Sequence, residues 1–151
     1  MKTYLYDTNI LLYAIRNEKH WQFISETAQL DITQDNVMSV VSWGELYSLA
    51  RQNRWGTKRF DLIDRLDEVF IIANIFEMEI IQAYADIDAY SRGKLDGRPL
   101  GTSARTMGKN DLWIAATASV LGITLLTTDG DFDHLKGVFL DIEKIVFPVG
   151  F

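Results

Sequence analysis

TYLYDTNILLYAIR, residues 3–16, sets a single acid between a strand-forming run and a helical segment. Residues 3–6 are of types common in strands, and Thr8 and Asn9 are helix-starting types ahead of an apolar run. Asp7 is therefore predicted at the carboxyl end of a first strand. Ligands bind at that end of parallel sheets, and a carboxylate there needs a partner that offsets its lost hydration. The alternative role for Asp7 is an N-terminal cap.

Short apolar runs alternate with helical patterns along the rest of the chain. A glycine-rich loop at 93–108 interrupts this alternation, and loops of that length are more often functional than idle. The alternation favours one α/β domain, residues 1–151, with a mainly parallel sheet covered by helices on both faces. Helices are predicted at 18–30, 42–52, 57–68, 77–91 and 110–121, the last capped by Asn110 and Gly122, and strands at 36–41, 69–75, 123–128 and 145–147.

The composition restricts the class of protein. The chain has no cysteine, which removes disulfides, thiolate metal sites and thiol nucleophiles. Neither a signal-peptide pattern nor an apolar run of about 20 residues is found, so a cytoplasmic protein without a membrane segment is expected. The net charge of -6 argues against binding of nucleic acid through the overall field.

The charge is distributed unevenly. Residues 92–109 carry five basic residues against the single acid Asp96, which leaves the remainder near -10. This basic loop is predicted to contact nucleic acid, whereas a second cluster fits a solvated helix end. The loop residues are Arg92, Lys94, Arg98, Arg105 and Lys109, and the second cluster is Arg51, Arg54, Lys58 and Arg59.

Three further acids occupy junctions like that of Asp7. Glu45 follows the second predicted strand, Asp111 opens a helix, and Asp129 ends the 123–128 strand. Each also has a purely structural explanation. Glu45 can form a capping box with Ser42, Asp111 can complement a helix dipole, and Asp129 can belong to a turn.

If the strands run parallel, all four acids point to one edge of the sheet. Carboxylates that converge there repel one another unless a divalent cation is present. Oxygen ligands without cysteine or a nearby histidine select Mg²⁺ or Mn²⁺ rather than Zn²⁺. Such an ion holds phosphates and makes water nucleophilic, as phosphodiester hydrolysis requires. The pattern predicts a carboxylate–metal nuclease, with His20 and His134 as surface or loop residues and the Thr127–Thr128 hydroxyls as either carboxylate partners or ordinary strand residues.

Four segments, YLYDTNILLYAI, SVVSWGEL, NDLWIAATA and LLTTDGDF, resemble the PIN-domain ribonucleases in order and spacing, and most closely the VapC toxins of bacterial toxin–antitoxin pairs. The resemblance implies a three-layer α/β/α fold and an endoribonuclease that depends on Mg²⁺ or Mn²⁺. It also implies a homodimer, a small antitoxin that neutralises the protein, and transfer RNA as the favoured substrate.

The resemblance assigns the acidic site to Asp7, Glu45, Asp111 and Asp129. Asn9 would support Asp7, and Asp131 is the alternative fourth acid, because both aspartates of TTDGDFD fit the motif loosely. An antitoxin would place a cationic side chain in this site and contact aromatic residues near the Glu45 helix, for which the candidates are Trp43, Tyr47 and Trp55.

Three other functions compete with the toxin. One is a PIN-like RNA-processing nuclease with no toxin role, and another is a non-catalytic PIN fold that binds protein. The presence of all four acids argues against the second. A hydrolase that uses Asp7 as a phosphate-accepting nucleophile needs a second aspartate two residues on, where the chain has Asn9.

Overall fold

The computed structural model describes residues 2–31 and 33–151 and contains a five-stranded sheet in which every strand pair is parallel. The strand order is β3-β2-β1-β4-β5. Leu5 of the central strand lies opposite Val37 on one side and Leu125 on the other. The strands are β1 (Tyr4–Tyr6), β2 (Asn36–Ser39), β3 (Phe70–Ala73), β4 (Thr124–Thr127) and β5 (Ile142–Lys144).

Helices connect the strands. They are α1 (Thr8–Arg16), α2 (Glu18–Thr27), α3 (Val40–Gln52), α4 (Thr57–Asp64), α5 (Met78–Ser91) and α6 (Lys109–Leu121). Short 3-10 helices cover Leu66–Glu68 and Gly130–Leu135. Within the described ranges, no helix is long and apolar enough to cross a membrane.

Alternate residues of β1, β2 and β4 pack into two separate cores. Tyr4 and Tyr6 belong to the core formed with α1, α2, α3 and α4, whereas Leu5 belongs to the core formed with α5 and α6. The neighbouring Leu125 and Leu126 divide in the same way. This period of two with both sets buried is the pattern of a parallel sheet between helical layers. The predicted three-layer α/β/α fold is confirmed.

The strand order reverses between β1 and β4. The chain proceeds from β1 through β2 to β3 on one side, and β4 and β5 add on the other side. Ligand crevices of open α/β sheets lie at the carboxyl ends of strands at such a reversal. Asp7 directly follows β1 and Asp129 follows β4 by one intervening residue, so two of the predicted acids flank this point.

Two predicted helix starts were wrong. α3 begins at Val40 because the Ser39 hydroxyl accepts a hydrogen bond from the Val41 backbone N–H, so Ser42 is not a cap and the capping box with Glu45 does not form. α6 begins at Lys109 with Gly108, in an extended conformation, as its cap, which puts Asn110 inside the helix.

The ends of several elements also differ from prediction. The edge strand is β5, three residues before 145–147, because Ile142 and not Ile145 pairs with Leu125 of β4. The helix predicted to Leu30 ends at Thr27, and the 57–68 helix gives way to the 3-10 helix after Asp64. The irregular loop and Gly122 as the end of α6 are confirmed, the latter with a φ of 66°.

Two glycines test the backbone account of α3 and α6. Gly44 lies inside α3, Gly122 is left-handed, and a Cβ added at either meets no atom within 4 Å. Backbone preference alone therefore decides the effect. Gly44→Ala should raise the free energy of unfolding by about 0.5–1 kcal/mol, and Gly122→Ala should lower it by about 1–2 kcal/mol. Urea denaturation followed by circular dichroism measures both, and effects of the same sign would contradict the account.

Candidate functional site

Asp7 is a buried carboxylate at the end of β1, with 3% of its surface exposed. Its Oδ1 accepts a hydrogen bond of 2.8 Å from the Thr8 backbone N–H, so Asp7 also caps α1. Its Oδ2 accepts one of 2.7 Å from the Thr127 hydroxyl. The pKa of Asp7 is raised to about 6, chiefly by burial and also by the charges of Asp129 and Glu45, although the two hydrogen bonds lower it.

Thr127 joins the two strands that flank the crevice. Its hydroxyl donates to Asp7 and accepts a hydrogen bond of 2.9 Å from the Asp129 backbone N–H. Thr127 is completely buried at the end of β4. Of the two alternatives that the sequence left open for Thr127, carboxylate partner or ordinary strand residue, the structure therefore shows the first.

Glu45 lies in the second turn of α3 and points to the same crevice. Its Oε1 is 2.9 Å from the Thr8 hydroxyl, which is also 2.9 Å from the Ser42 hydroxyl. A carboxylate only accepts and a hydroxyl has one proton, so Thr8 donates to Glu45 and Ser42 donates to Thr8. Thr8 thereby contacts both Asp7 and Glu45.

Three more carboxylates lie together beside Asp7. One oxygen each from Asp111, Asp129 and Asp131 lies within 4.8 Å of the others. Asp111 lies in the first turn of α6. Asp129 precedes the 3-10 helix, and its Oδ1 accepts a hydrogen bond of 2.9 Å from the Asp131 backbone N–H. Asp111 and Asp129 are partly buried and Asp131 is exposed. The structure therefore keeps both candidates for the fourth acid at the site.

The surrounding acids act strongly on Asp111. Its pKa is raised to about 7, first by burial and then by the charges of Asp7, Asp129, Glu45 and Asp131. Among the described residues, none of these five carboxylates forms an ion pair with a basic side chain within 4.0 Å. The site thus concentrates negative charge for which the described residues supply hydrogen bonds but no ion pair.

These residues fit a divalent cation. Asp111, Asp129 and Asp131 offer hard oxygen ligands at a mutual distance that one ion can span, with Asp7 and Glu45 around them. An ion there offsets both the burial of the carboxylates and their repulsion. All four predicted acids and Asp131 are therefore brought to one crevice.

Three other predicted residues lie elsewhere. Asn9 is exposed beside Leu12 and Arg16, and its support of Asp7 stays a prediction. The histidines are half-buried rather than on the surface. His20 stacks on an aromatic cluster, and His134 Nε2 lies 2.7 Å from the Ser91 hydroxyl. Burial, with the nearby Arg105, lowers the pKa of His134.

The structure divides the predicted RNA-binding residues. Arg92, Lys94 and Arg105 line one cleft of about 240 Å³. Arg98 lies apart from this cleft. Its guanidinium donates a hydrogen bond of 3.2 Å to the Val138 carbonyl and lies 4.7 Å from the centre of the Phe139 ring. The fifth residue, Lys109, is exposed at the start of α6. The basic charge therefore collects mainly in the cleft.

Sequence reasoning missed two hydroxyl residues of the site, Thr8 and Ser42. Both are buried, and together they orient Glu45. The position of Thr8 directly after Asp7 was a usable signal, because a residue at that point of a helix start faces the crevice. Ser42 carried no comparable signal, because its place ahead of Glu45 also fits a helix cap.

The parallel sheet and its acidic crevice define an α/β protein with clustered carboxylates at the carboxyl edge of its strands. The family model of the PIN domain matches residues 4–138, and the chain belongs to the PIN-domain family. Comparison with curated protein sequences finds no match.

Solved structures share this fold. VapBC2 from Rickettsia felis, bound to a promoter DNA fragment, matches with a TM-score of 0.71 and 21% identity over 94% of this chain and 98% of that chain. VapBC-1 from nontypeable Haemophilus influenzae matches with a TM-score of 0.69 and 28% sequence identity, over 94% of this chain and 97% of that chain. FitAcB from Neisseria gonorrhoeae matches with a TM-score of 0.70 and 23% sequence identity, over 92% of this chain and 95% of that chain. The predicted resemblance to VapC-like PIN proteins is confirmed.

Stability of the metal-free protein should fall as pH rises. The folded pKa values of Asp7, about 6, and Asp111, about 7, exceed their ordinary value of 3.8. The folded state therefore keeps protons that the unfolded state releases from about pH 4, and the free energy of unfolding declines until about pH 7. Thermal melts in chelator from pH 4 to pH 8 measure this, and a melting temperature that rises over that range would contradict it.

Asp111→Asn should stabilise the metal-free protein at pH 8, because it removes one of the repelling charges. The gain is on the order of 1 kcal/mol, or roughly 2–4 °C, after discounting for the partial exposure of Asp111. Glu79→Gln is the matched control, since Glu79 is an exposed acid in the first turn of α5. A variant less stable than wild type, as expected for Glu79→Gln, would show that Asp111 serves the helix dipole instead.

Proposed function

We propose that the protein is a metal-dependent endoribonuclease that hydrolyses RNA phosphodiester bonds. The observation that supports this most is the group of five carboxylates at the reversal of strand order, without a basic partner among the described residues. Membership of the PIN-domain family gives further support.

Each residue of the site has a proposed role. Asp111, Asp129 and Asp131 would hold a Mg²⁺ or Mn²⁺ ion together with Asp7, and Glu45 would complete the shell or position the water. When bound, the ion activates water and screens the charge of a phosphodiester. The Thr127 and Thr8 hydroxyls fix the carboxylates of Asp7 and Glu45 before any ligand arrives.

The RNA backbone is proposed to lie in the basic cleft of Arg92, Lys94 and Arg105, with Lys109 between the cleft and the acidic crevice. Arg105 precedes Lys109, the first residue of α6, by four positions, so only a short stretch of chain joins the cleft to Asp111. Arg98 belonged to the predicted track, but its contacts with Val138 and Phe139 support a structural role beside any RNA contact.

We further propose that the protein is the toxin of a toxin–antitoxin pair, because the chain of VapBC-1 from Haemophilus influenzae is 28% identical over almost its full length. A small antitoxin would place an arginine among the carboxylates, where a guanidinium fork matches them. Trp43 and Tyr47 are half-buried candidate contacts. Trp55 is buried beside Arg16 and is no longer one. A homodimer and transfer RNA as substrate remain proposals from the same resemblance.

RNA cleavage should require a divalent cation and fail in Asp7→Asn and Asp111→Asn. Each change removes a ligand charge but keeps the shape, and asparagine can still cap α1. The loss should be several kcal/mol in the transition state, or roughly a hundredfold or more in rate. Asp86→Asn, an exposed site on α5, is the control. Full activity in excess chelator, or in either folded variant, would refute the metal mechanism.

The double variant Lys94→Gln/Arg105→Gln should bind RNA more weakly and with a flatter salt dependence. Each lost phosphate contact lowers the slope of log affinity against log salt by about 0.7 for single strands. Arg98→Gln should change the slope less, and binding is measured in the non-cleaving Asp7→Asn protein. An unchanged slope in the double variant would move the RNA track to Arg51, Arg54, Lys58 and Arg59.

Expression of the wild-type protein alone should arrest bacterial growth, whereas Asp7→Asn should not. Co-expression with the small reading frame beside its gene should restore growth, because the partner would cover the carboxylates. Growth curves and total RNA from the same cultures provide the readout. If folded wild-type protein left growth and RNA intact, the toxin assignment would fall, and a PIN nuclease with another role would remain.

A further inference from the structure

A groove of about 620 Å³ lies between α3 and α6, beside the carboxylates. Its apolar lining comes from Val41 and Leu49 of α3, from Ile75 after β3, and from Trp113 of α6. Its polar lining includes Ser48, Gln52 and Asn110. Apolar walls with a few polar groups are typical of sites for small planar ligands.

The groove is continuous with the acidic crevice. Glu45 lines the groove and also accepts the hydrogen bond from Thr8 inside the crevice. Asn110, on the opposite wall, directly precedes Asp111. A chain whose phosphate lies at the carboxylates therefore has its neighbouring nucleotide at the mouth of the groove.

The charge of the groove differs from that of the basic cleft. Glu45 is the charged residue among those that line the groove, whereas Arg92, Lys94 and Arg105 line the cleft. An acidic wall repels a phosphate but accepts a neutral ring. The groove is thus suited to a base, and the cleft to the backbone.

Trp113 supplies an aromatic wall that is already held in place. It is half-buried, and its ring centre lies 4.3 Å from that of Tyr84. Gln52 Nε2 donates a hydrogen bond of 2.8 Å to the Ser48 hydroxyl. The side-chain carbonyl oxygen of Gln52 can therefore accept a hydrogen bond from a base edge. Aromatic stacking with amide hydrogen bonds is how proteins bind unpaired bases.

We propose that this groove binds an unpaired nucleobase next to the cleaved phosphodiester and so gives the enzyme a base preference. The inference rests on the proposed nuclease function and names the part of its substrate that the site reads.

The test is the cleavage of a single-stranded RNA library, randomised over a short segment, in Mg²⁺. Wild type should prefer one base class beside the cut. Trp113→Leu should weaken RNA binding about fivefold or more, since stacking on an aromatic ring is worth at least that factor, and should reduce the base preference. Gln52→Leu should also reduce that preference, because it removes the amide that would bind the base edge. Trp113→Phe should retain most of it, and Gln82→Leu, a matched glutamine on α5 outside the groove, should change nothing.

A second measurement does not depend on cleavage. Fluorescence anisotropy of four short homopolymeric oligoribonucleotides on Asp7→Asn protein should give unequal affinities, and adding Gln52→Leu should level them. Because Gln52 is exposed, this variant tests the groove even if Trp113→Leu fails to fold.

The failures can be told apart. Cleavage without base preference, or a preference that survives both groove substitutions, overturns this inference and leaves the nuclease proposal standing. Absence of all cleavage counts against the nuclease, and equal affinities for the four oligoribonucleotides then overturn the groove as a base site. Loss of a dimer in Ser48→Arg with base preference intact would assign the groove to a second copy of the chain and overturn the inference as well.

Discussion

The mutual repulsion of buried carboxylates is the constraint on which the site depends. Burial is the main cause that raises the pKa of Asp7 and of Asp111, and the charges of the surrounding acids add to it at both residues. No basic side chain in the described part of the chain pairs with them. Such an arrangement costs stability in the free protein, and the proposed cation would offset that cost.

Two buried hydroxyls allow the arrangement to exist before a ligand arrives. Thr127 binds Asp7 from the neighbouring strand and accepts from the Asp129 backbone, and Thr8 binds Glu45. Because β1 and β4 are adjacent and parallel, Thr127 lies at the same edge as Asp7. The sheet topology therefore supplies the alignment, and the hydroxyls fix the individual oxygens.

Local features of the fold were predictable from the sequence, whereas contacts between distant segments were not. The burial of alternate strand residues and the left-handed Gly122 follow from residue type and spacing. The Asp7–Thr127 hydrogen bond joins residues 120 positions apart, so no local pattern contains it. The predicted caps of α3 and α6 were wrong because these helices start earlier, after Ser39 and Gly108. Ser42 and Asn110 also have side chains that can cap a helix, so residue type alone did not locate the start. Likewise, only the folded chain separates Arg98 from the other basic residues.

Anomalous diffraction from crystals grown or soaked in Mn²⁺ tests the central claim most directly. We expect one or more ion peaks within coordination distance, about 2.0–2.2 Å, of oxygens from Asp111 and Asp129 or Asp131. Asp111→Asn crystals treated identically should lose or weaken the peak. An empty crevice at saturating Mn²⁺, or an arginine or lysine side chain that neutralises the carboxylates in its place, would contradict the account.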